Sequence, residues 1–309
     1  MRVIFMGTPD FAVGALNSII EAGHEVVLVV TQEDKPKGRG KEIQFTPVKE
    51  AALAHGIEVY QPHRVKTEDS VAKLREYNAD VFVVAAYGQI LSKEILDMPK
   101  YGCVNIHASL LPKYRGAAPI QWSIIDGEKI TGVTTQMMAE GIDTGDILDT
   151  LEVEIAADET GGSLFDKLTV AGSEIILETL KKLENGTATR TPQDDSKSSY
   201  AKMLDKKLGD LDFSKPADEL ERLVRGLNPW PSAYTRYNGK TLKIWKSEVI
   251  DKEYAGECGQ IVDKTKKAVI VKTGKGALAI TELQLEGKKR MTTESYLCGA
   301  GFEEGAILG

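Results

Sequence analysis

Cysteine is scarce in this chain of 309 residues: Cys103, Cys258 and Cys298 are odd in number and widely spaced, which excludes a disulfide framework. No pair of them stands at zinc-ligand spacing, so no metal is expected, and they read as buried reduced thiols. A long apolar run is also missing. Arg2-Val3-Ile4-Phe5-Met6 is interrupted by Gly7-Thr8-Pro9-Asp10 before a signal-peptide core or membrane span could form, so the protein is expected in the cytoplasm. The G-x-G-x-x-G fingerprint is absent, because Gly7 is followed by Pro9 rather than a second glycine, and no Gly-Lys pair sits in a P-loop context. Neither NAD nor ATP is expected, and no other bound nucleotide. Histidine is limited to four residues, of which His24, His55 and His63 carry no partner motif. No internal repeat or low-complexity tract is evident.

What is present is an ordinary soluble composition, long enough for two domains that each bury a core. The first part alternates β-branched runs (2–6, 25–31, 81–86, 103–108) with helical patterns (11–21, 47–55, 67–77), the mark of a parallel sheet with crossover helices. Strands at 132–138 and 146–155 and a long amphipathic helix at 162–183 complete an α/β, Rossmann-like domain, taken as residues 1–189. Residues 190–205 are rich in Ser, Thr, Asp and Lys with little apolar periodicity, and read as a linker. In the remainder, 206–309, a short helix at 217–225 precedes several short strands separated by Asn238-Gly239, Gly256, Gly274, Gly276 and Gly287, which suggests a small β-barrel.

Charge divides along the same line. The chain carries −7 overall, but residues 206–309 hold 18 Lys and Arg against 15 Asp and Glu, while the first 205 hold 21 against 31. The basic runs Lys264-Thr265-Lys266-Lys267, Lys272-Thr273-Gly274-Lys275 and Lys288-Lys289-Arg290 fall late, as a surface tracking phosphates requires, although a merely solvated barrel surface has the same look.

The chemistry gathers between Asn105 and Asp143. Val104, Ile106 and Ala108 alternate with Asn105, His107 and Ser109, so on a strand the three polar side chains share one face. Such residues at a strand end also serve simply to satisfy backbone in a turn. Two features favour a site. An irregular loop, Leu111-Pro112 to Arg115-Gly116, follows directly, and strand ends of open parallel sheets are where ligands bind. Asp143 stands between Gly141 and Gly145, a tight turn that could bring its carboxylate against the imidazole to orient it and favour its protonated form.

The segment Asn105-Ile106-His107-Ala108-Ser109-Leu110-Leu111-Pro112-Lys113-Tyr114-Arg115-Gly116, followed by Gly141-Ile142-Asp143-Thr144-Gly145-Asp146, resembles the signature of the folate-dependent formyltransferases. Met6-Gly7-Thr8-Pro9-Asp10-Phe11, the basic loop Lys35-Pro36-Lys37-Gly38-Arg39-Gly40-Lys41 and Leu227-Asn228-Pro229-Trp230-Pro231 extend the resemblance over most of the chain, and point within the family to the branch whose acceptor is initiator methionyl-tRNA. The resemblance implies transfer of a formyl group from 10-formyltetrahydrofolate, a co-substrate, to the α-amine of that aminoacyl-tRNA. It also implies an OB-like barrel at the C-terminus that binds tRNA.

An α-amine with a pKa of about 7.7 to 8.0 is partly neutral at pH 7, so direct attack suffices and no covalent nucleophile is needed. The tetrahedral oxyanion then requires fixed donors, and a proton must leave the attacking nitrogen. By resemblance the catalytic residues are Asn105 as amide donor, His107 as second donor and proton-transfer group, and Asp143 as the carboxylate that orients His107. Folate contacts are implied for Ser109, Leu110, Leu111 and Pro112 and for Tyr87, Gly88 and Gln89, the last three through backbone groups. The tRNA contacts are implied for Lys35, Lys37, Arg39 and Lys41, and Trp230 reads as a packing anchor where the barrel meets the catalytic domain, in preference to a base-stacking residue. The remaining alternatives are a formyltransferase for a small amine, such as an amino sugar or glycinamide ribonucleotide, a formyltetrahydrofolate hydrolase, and a non-catalytic folate sensor or RNA binder. The basic loop and C-terminal part favour tRNA, and a sensor has no need of the Asn, His and Asp set. No membrane partner is expected, and a monomer is the default.

Overall fold

The structure, a computed structural model, describes residues 1–37, 42–299, 301–303 and 305–309. Two compact units emerge from its internal contacts. The first comprises Met1–Pro119, Ile130–Glu154 and Phe165–Ala201, and the second Ile120–Lys129, Ile155–Leu164 and Lys202–Gly309.

Chain order through the first unit is β1 (Arg2–Gly7), α1 (Asp10–Glu21), β2 (Glu25–Val30), β3 (Lys35–Lys37), β4 (Glu42–Gln44), α2 (Pro47–Ala54), β5 (Val59–Tyr60), α3 (Glu68–Glu76), β6 (Val81–Ala85), α4 (Lys93–Leu96), β7 (Cys103–His107) and β8 (Arg115–Gly116). Helix α5 (Pro119–Ile125) falls almost wholly in the second unit; then come β9 (Ile130–Met137), β10 (Ile147–Glu154), α6 (Gly161–Glu184) and β11 (Tyr200–Ala201). Seven strands form one sheet in the order β10-β9-β7-β6-β1-β2-β5. The five from β5 to β7 are mutually parallel, as the alternating pattern predicts. The edge departs from it: β9 runs antiparallel to β7, and β10, which follows β9 with no crossover helix between them, returns antiparallel to β9.

The central strands are continuous apolar runs because both faces are covered: every residue of β6 is buried, as are Val3 to Met6 of β1. Helix α1 buries Phe11, Ala12, Ala15, Leu16 and Ile19, one stripe at helical spacing. Its start is brought close by Gly7, where a Cβ would stand 2.7 Å from that of Ala12. Helix α2 begins at a Thr46 cap whose hydroxyl accepts from the Lys49 N–H at 3.1 Å, with Pro47 at the first helical position. From β1 the chain builds outward on one side through β2 and β5, then crosses to the other side through β6 and β7. The order therefore reverses between β1 and β6, and the crevice beyond their carboxyl ends is where such a sheet binds ligands.

In the second unit, α7 (Ala217–Gly226) is followed by β12 (Ala233–Tyr237), β13 (Lys240–Ile250), β14 (Ile261–Lys264), β15 (Val269–Lys272), β16 (Ala277–Leu285), β17 (Met291–Thr292) and α8 (Thr293–Gly299). The strands form one antiparallel sheet, β12-β13-β16-β15-β14, with β17 on β16. An OB-like barrel is compatible with this order. Asn238 and Gly239, both at positive φ (49° and 73°), make the two-residue hairpin between β12 and β13. Leu220 and Val224 of α7 pack with Leu242, Ile244, Val269, Val271, Leu278, Ile280 and Leu283 in the core.

Two smaller expectations need correction. Of the cysteines only Cys103 is buried, with burial pushing its thiol pKa up; Cys258 and Cys298 are exposed, one in a loop and one at the end of α8. Trp230, expected as a packing anchor, is 55 % exposed.

Candidate active site

Strand β7 sits between β6 and β9, with Asn105 opposite Val84 on one side and Gln136 on the other. Asn105 and His107 are two apart on it and so share a face. The strand ends at His107, so Ser109 does not extend that face as the alternation predicts. His107 is buried, and one ring nitrogen, Nε2, lies 2.9 Å from the carbonyl oxygen of Tyr114. A carbonyl can only accept, so Nε2 carries a proton and donates it there. Tyr114 is held in a left-handed conformation (φ 60°), and its N–H donates to Ser199 Oγ at 2.9 Å. The other ring nitrogen, Nδ1, faces the carboxylate of Asp143, 3.6 Å from Oδ2. The imidazole is thus fixed at one end by backbone, with Nδ1 turned toward the carboxylate.

Asp143 itself adopts a left-handed φ of 52°, whereas neither flanking glycine does. Gly145 is required for a different reason: a Cβ there would lie 1.8 Å from the carbonyl oxygen of Met137. The flanking glycines therefore permit close approach, and Asp143 makes the turn. Its carboxylate is surrounded by neutral donors. Oδ2 accepts from the Gly116 N–H at 2.8 Å, and Oδ1 accepts from Gln136 Nε2 at 2.9 Å and, at the longer distance of 3.4 Å, from Asn105 Nδ2. Asn105, His107 and Asp143 are thereby brought together, 38 residues of sequence closing into one cluster.

Two glutamines of this cluster were not legible in the sequence. Gln136 holds Asp143 through its amide nitrogen and accepts from the Gly145 N–H at 3.2 Å. It sits on β9 facing Asn105, a register that no local pattern announces. Gln193 donates Nε2 to the carbonyl oxygens of Asp143 (2.8 Å) and Gly145 (2.7 Å), and its Oε1 accepts from Arg115 Nε (3.0 Å) and Nη2 (2.8 Å). It lies in the stretch expected to be a linker. That stretch packs on the first unit, where Thr191 bridges Ile147 and β11 pairs in parallel with β8.

The other predicted residues fall in three places. In the loop after β7, Ser109 is fully buried and its hydroxyl donates to the Lys113 carbonyl at 2.7 Å, Leu110 packs on Gly132, Leu111 is buried, and the Leu111-Pro112 bond is cis. At the crevice between β1 and β6, the Tyr87 carbonyl accepts from Thr8 Oγ1 (3.0 Å) and Gln32 Nε2 (3.1 Å), and Gly88 has φ 84°. The Gln89 side chain is spent on the scaffold, accepting from the Val65 N–H and donating to the Pro62 carbonyl. The Tyr87 ring is buried, which pushes its phenol pKa up, and the hydroxyl has no hydrogen-bond partner among the described residues. Exposed apolar side chains follow and precede these segments: Ile90 next to Gln89, and Ile142 next to Asp143. Lys35 and Lys37 lie on β3, paired with β4, whereas Arg39 and Lys41 lie outside the described residues. Among the described residues no three His, Cys, Asp or Glu side chains gather as a metal set, and no helix is long and apolar enough to cross a membrane.

Comparison with known proteins bears on this arrangement. The sequence profile described as "Formyl transferase" matches residues 1–180, and that of "Formyl transferase, C-terminal domain" matches residues 203–301. A protein of Agathobacter rectalis named methionyl-tRNA formyltransferase is 60 % identical over 308 residues, covering 100 % of this chain and 99 % of its own. Among solved structures, an N-formyltransferase from Helicobacter canadensis in complex with folinic acid and dTDP-3-aminofucose is similar in fold, with TM-score 0.69 at 20 % identity over 94 % of this chain and 100 % of that one. HypX from Aquifex aeolicus is similar at TM-score 0.65 and 20 % identity, and this chain spans 50 % of its length.

Proposed function

Because the chain belongs to the formyl transferase family, we propose that it transfers the formyl group of 10-formyltetrahydrofolate to the free α-amino group of initiator methionyl-tRNA, for translation initiation. The observation that carries the chemistry is the convergence of Asn105, His107 and Asp143 at the carboxyl end of β7, with Nδ1 of His107 turned toward the carboxylate. The observation that carries the acceptor is full-length identity of 60 % to a protein of that name.

In this reading the neutral amine attacks the formyl carbon, and negative charge develops on the formyl oxygen. Asn105 Nδ2 makes only a long bond of 3.4 Å to Asp143, which leaves its amide available as a donor to that oxyanion. His107, anchored through Nε2, takes up at Nδ1 the proton released by the attacking nitrogen and returns it to N10 of the folate as the bond from the formyl carbon to N10 breaks and tetrahydrofolate leaves. The Asp143 carboxylate, held by amides rather than by a cation, favours the imidazolium while it exists. Backbone at Tyr87, Gly88 and Gln89, the loop Ser109 to Pro112, and the exposed Ile90 and Ile142 supply walls for a flat pterin and aminobenzoyl group. Lys35, Lys37, Arg39 and Lys41 are assigned to the tRNA, together with the basic residues of 206–309. Catalysis is assigned to residues 1–189, and the protein is taken as a cytoplasmic monomer.

The test is formyl transfer from 10-formyltetrahydrofolate to initiator methionyl-tRNA, with elongator methionyl-tRNA and free methionine alongside. Rapid transfer to the initiator alone is expected. Transfer to an amino sugar or glycinamide ribonucleotide, with none to tRNA, would overturn the assignment of the acceptor.

A further inference from the structure

We propose that Gln193 is a positioning residue for formyl transfer, acting through Asp143, and that Arg115 fixes its amide in the working orientation. The inference rests on the function proposed above and adds a residue whose side-chain amide is bonded to protein groups. Every polar atom of the Gln193 side chain is engaged. Nε2 donates to two carbonyl oxygens of one turn, those of Asp143 at 2.8 Å and Gly145 at 2.7 Å. Oε1 accepts twice from Arg115, at 3.0 and 2.8 Å. The orientation admits no flip, because a guanidinium has only donors and a carbonyl only acceptors, so the oxygen must face Arg115 and the nitrogen must face the turn. Arg115 is itself held, its side chain 11 % exposed and paired with Asp195 at 2.7 Å.

The turn needs such a brace. A non-glycine residue in the left-handed region is strained, so Asp143 at φ 52° relaxes unless its surroundings hold it. Gln136 grips the turn at the Asp143 carboxylate and the Gly145 N–H, while Gln193 grips the Asp143 and Gly145 carbonyls. The irregular stretch that carries Gln193 is pinned on both sides of it, by the Thr191–Ile147 bridge and by β11 on β8. Releasing one grip lets the carboxylate drift from His107, and a misplacement of about 1 Å at a reacting group can cost on the order of 10²-fold in rate.

The test uses the full chain with Gln193→Glu and Gln193→Met. The first keeps the acceptor for Arg115 and sets an oxygen against the two carbonyls; the second removes donors and acceptor without adding charge. With both substrates saturating, each variant is expected to lower kcat by roughly 10- to 100-fold, with KM for initiator methionyl-tRNA within about twofold and the melting temperature within a few degrees of wild type. In an Asp143→Asn background, measured under single turnover, the same changes should cost less than about twofold, since a residue that acts only through Asp143 has nothing left to position. Wild-type kcat in both variants, an equal loss in both backgrounds, or failure of both variants to fold would overturn the role while leaving the function standing. A wild-type protein that formylates no tRNA would overturn the function and the role with it.

Discussion

Two aspartates of the first unit, Asp34 and Asp143, each sit in a connection of the sheet and each accept from a glutamine side chain, yet their surroundings set them to different work. Asp34 receives Lys49 Nζ on one oxygen and Gln61 Nε2 at 2.8 Å on the other, and Lys49 also lies over the Phe45 ring. Burial pushes its carboxyl pKa up, but the hydrogen bonds from Lys49 and Gln61 outweigh burial and hold it below the ordinary value. Its charge is neutralised where it stands, and it acts as a strut. Asp143 has amides and a backbone N–H around it and an imidazole 3.6 Å away. Its charge is solvated by neutral dipoles, so its field remains available to His107. A lysine turns a half-buried carboxylate into structure, whereas amides leave it able to act on a neighbour.

The largest expected effects separate the two regions by activity. Asn105→Ala and His107→Ala should fold as wild type and lose at least about 10²- to 10³-fold in kcat, the usual cost of one oxyanion donor; circular dichroism with steady-state formyl transfer checks both. Asp143→Asn, which keeps the shape and removes the charge, should lose about 10²-fold, since the imidazolium loses its partner. A rate within threefold of wild type in any of these would erase the distinction drawn between the two aspartates.

A smaller effect concerns recognition rather than chemistry. Arg39→Ala should raise KM for initiator methionyl-tRNA by about tenfold, the value of one charged contact of roughly 1.4 kcal/mol, while leaving folate binding unchanged. Equal losses in both would instead indicate a folding defect. Smallest is the expected cost of Asp34→Asn, about 1 kcal/mol of stability with little change in kcat, because the pair with Lys49 is only partly buried. It should also depend on pH. The unfolded chain takes up the Asp34 proton near its ordinary value of about 3.9 and the folded chain only at lower pH. The stabilisation is therefore fully present above about pH 4 to 5 and is lost as pH falls through the folded value. Melting curves of both proteins from pH 7 down to pH 3 should converge at the acid end; a gap that stays constant would contradict the pairing.

Much of the fold was legible. The apolar runs that became β1, β2, β6 and β7 and the periodic stretches that became α1, α2, α3 and α6 match to within one or two residues, because burial on both faces of a sheet and on one stripe of a helix leaves an unmistakable pattern. Asn105, His107 and Asp143 were legible as candidates, two by strand alternation and one by its flanking glycines. What escaped was whatever depends on contacts between distant segments. The antiparallel course of β9 is set by its pairing with β7, Gln136 matters only because β9 lies in register with Asn105, and Gln193 hides in a polar stretch whose composition is that of a linker. Conversely, the prolines around Trp230 suggested an anchor, and the side chain is exposed.

The most direct measurement is single-turnover formyl transfer from 10-formyltetrahydrofolate to initiator methionyl-tRNA, with wild type, Asp143→Asn and Asp34→Asn run side by side at pH 7. The account predicts rapid transfer by wild type, a rate within about threefold of it for Asp34→Asn, and a rate lower by about 10²-fold for Asp143→Asn. Equal rates in the two variants would contradict it.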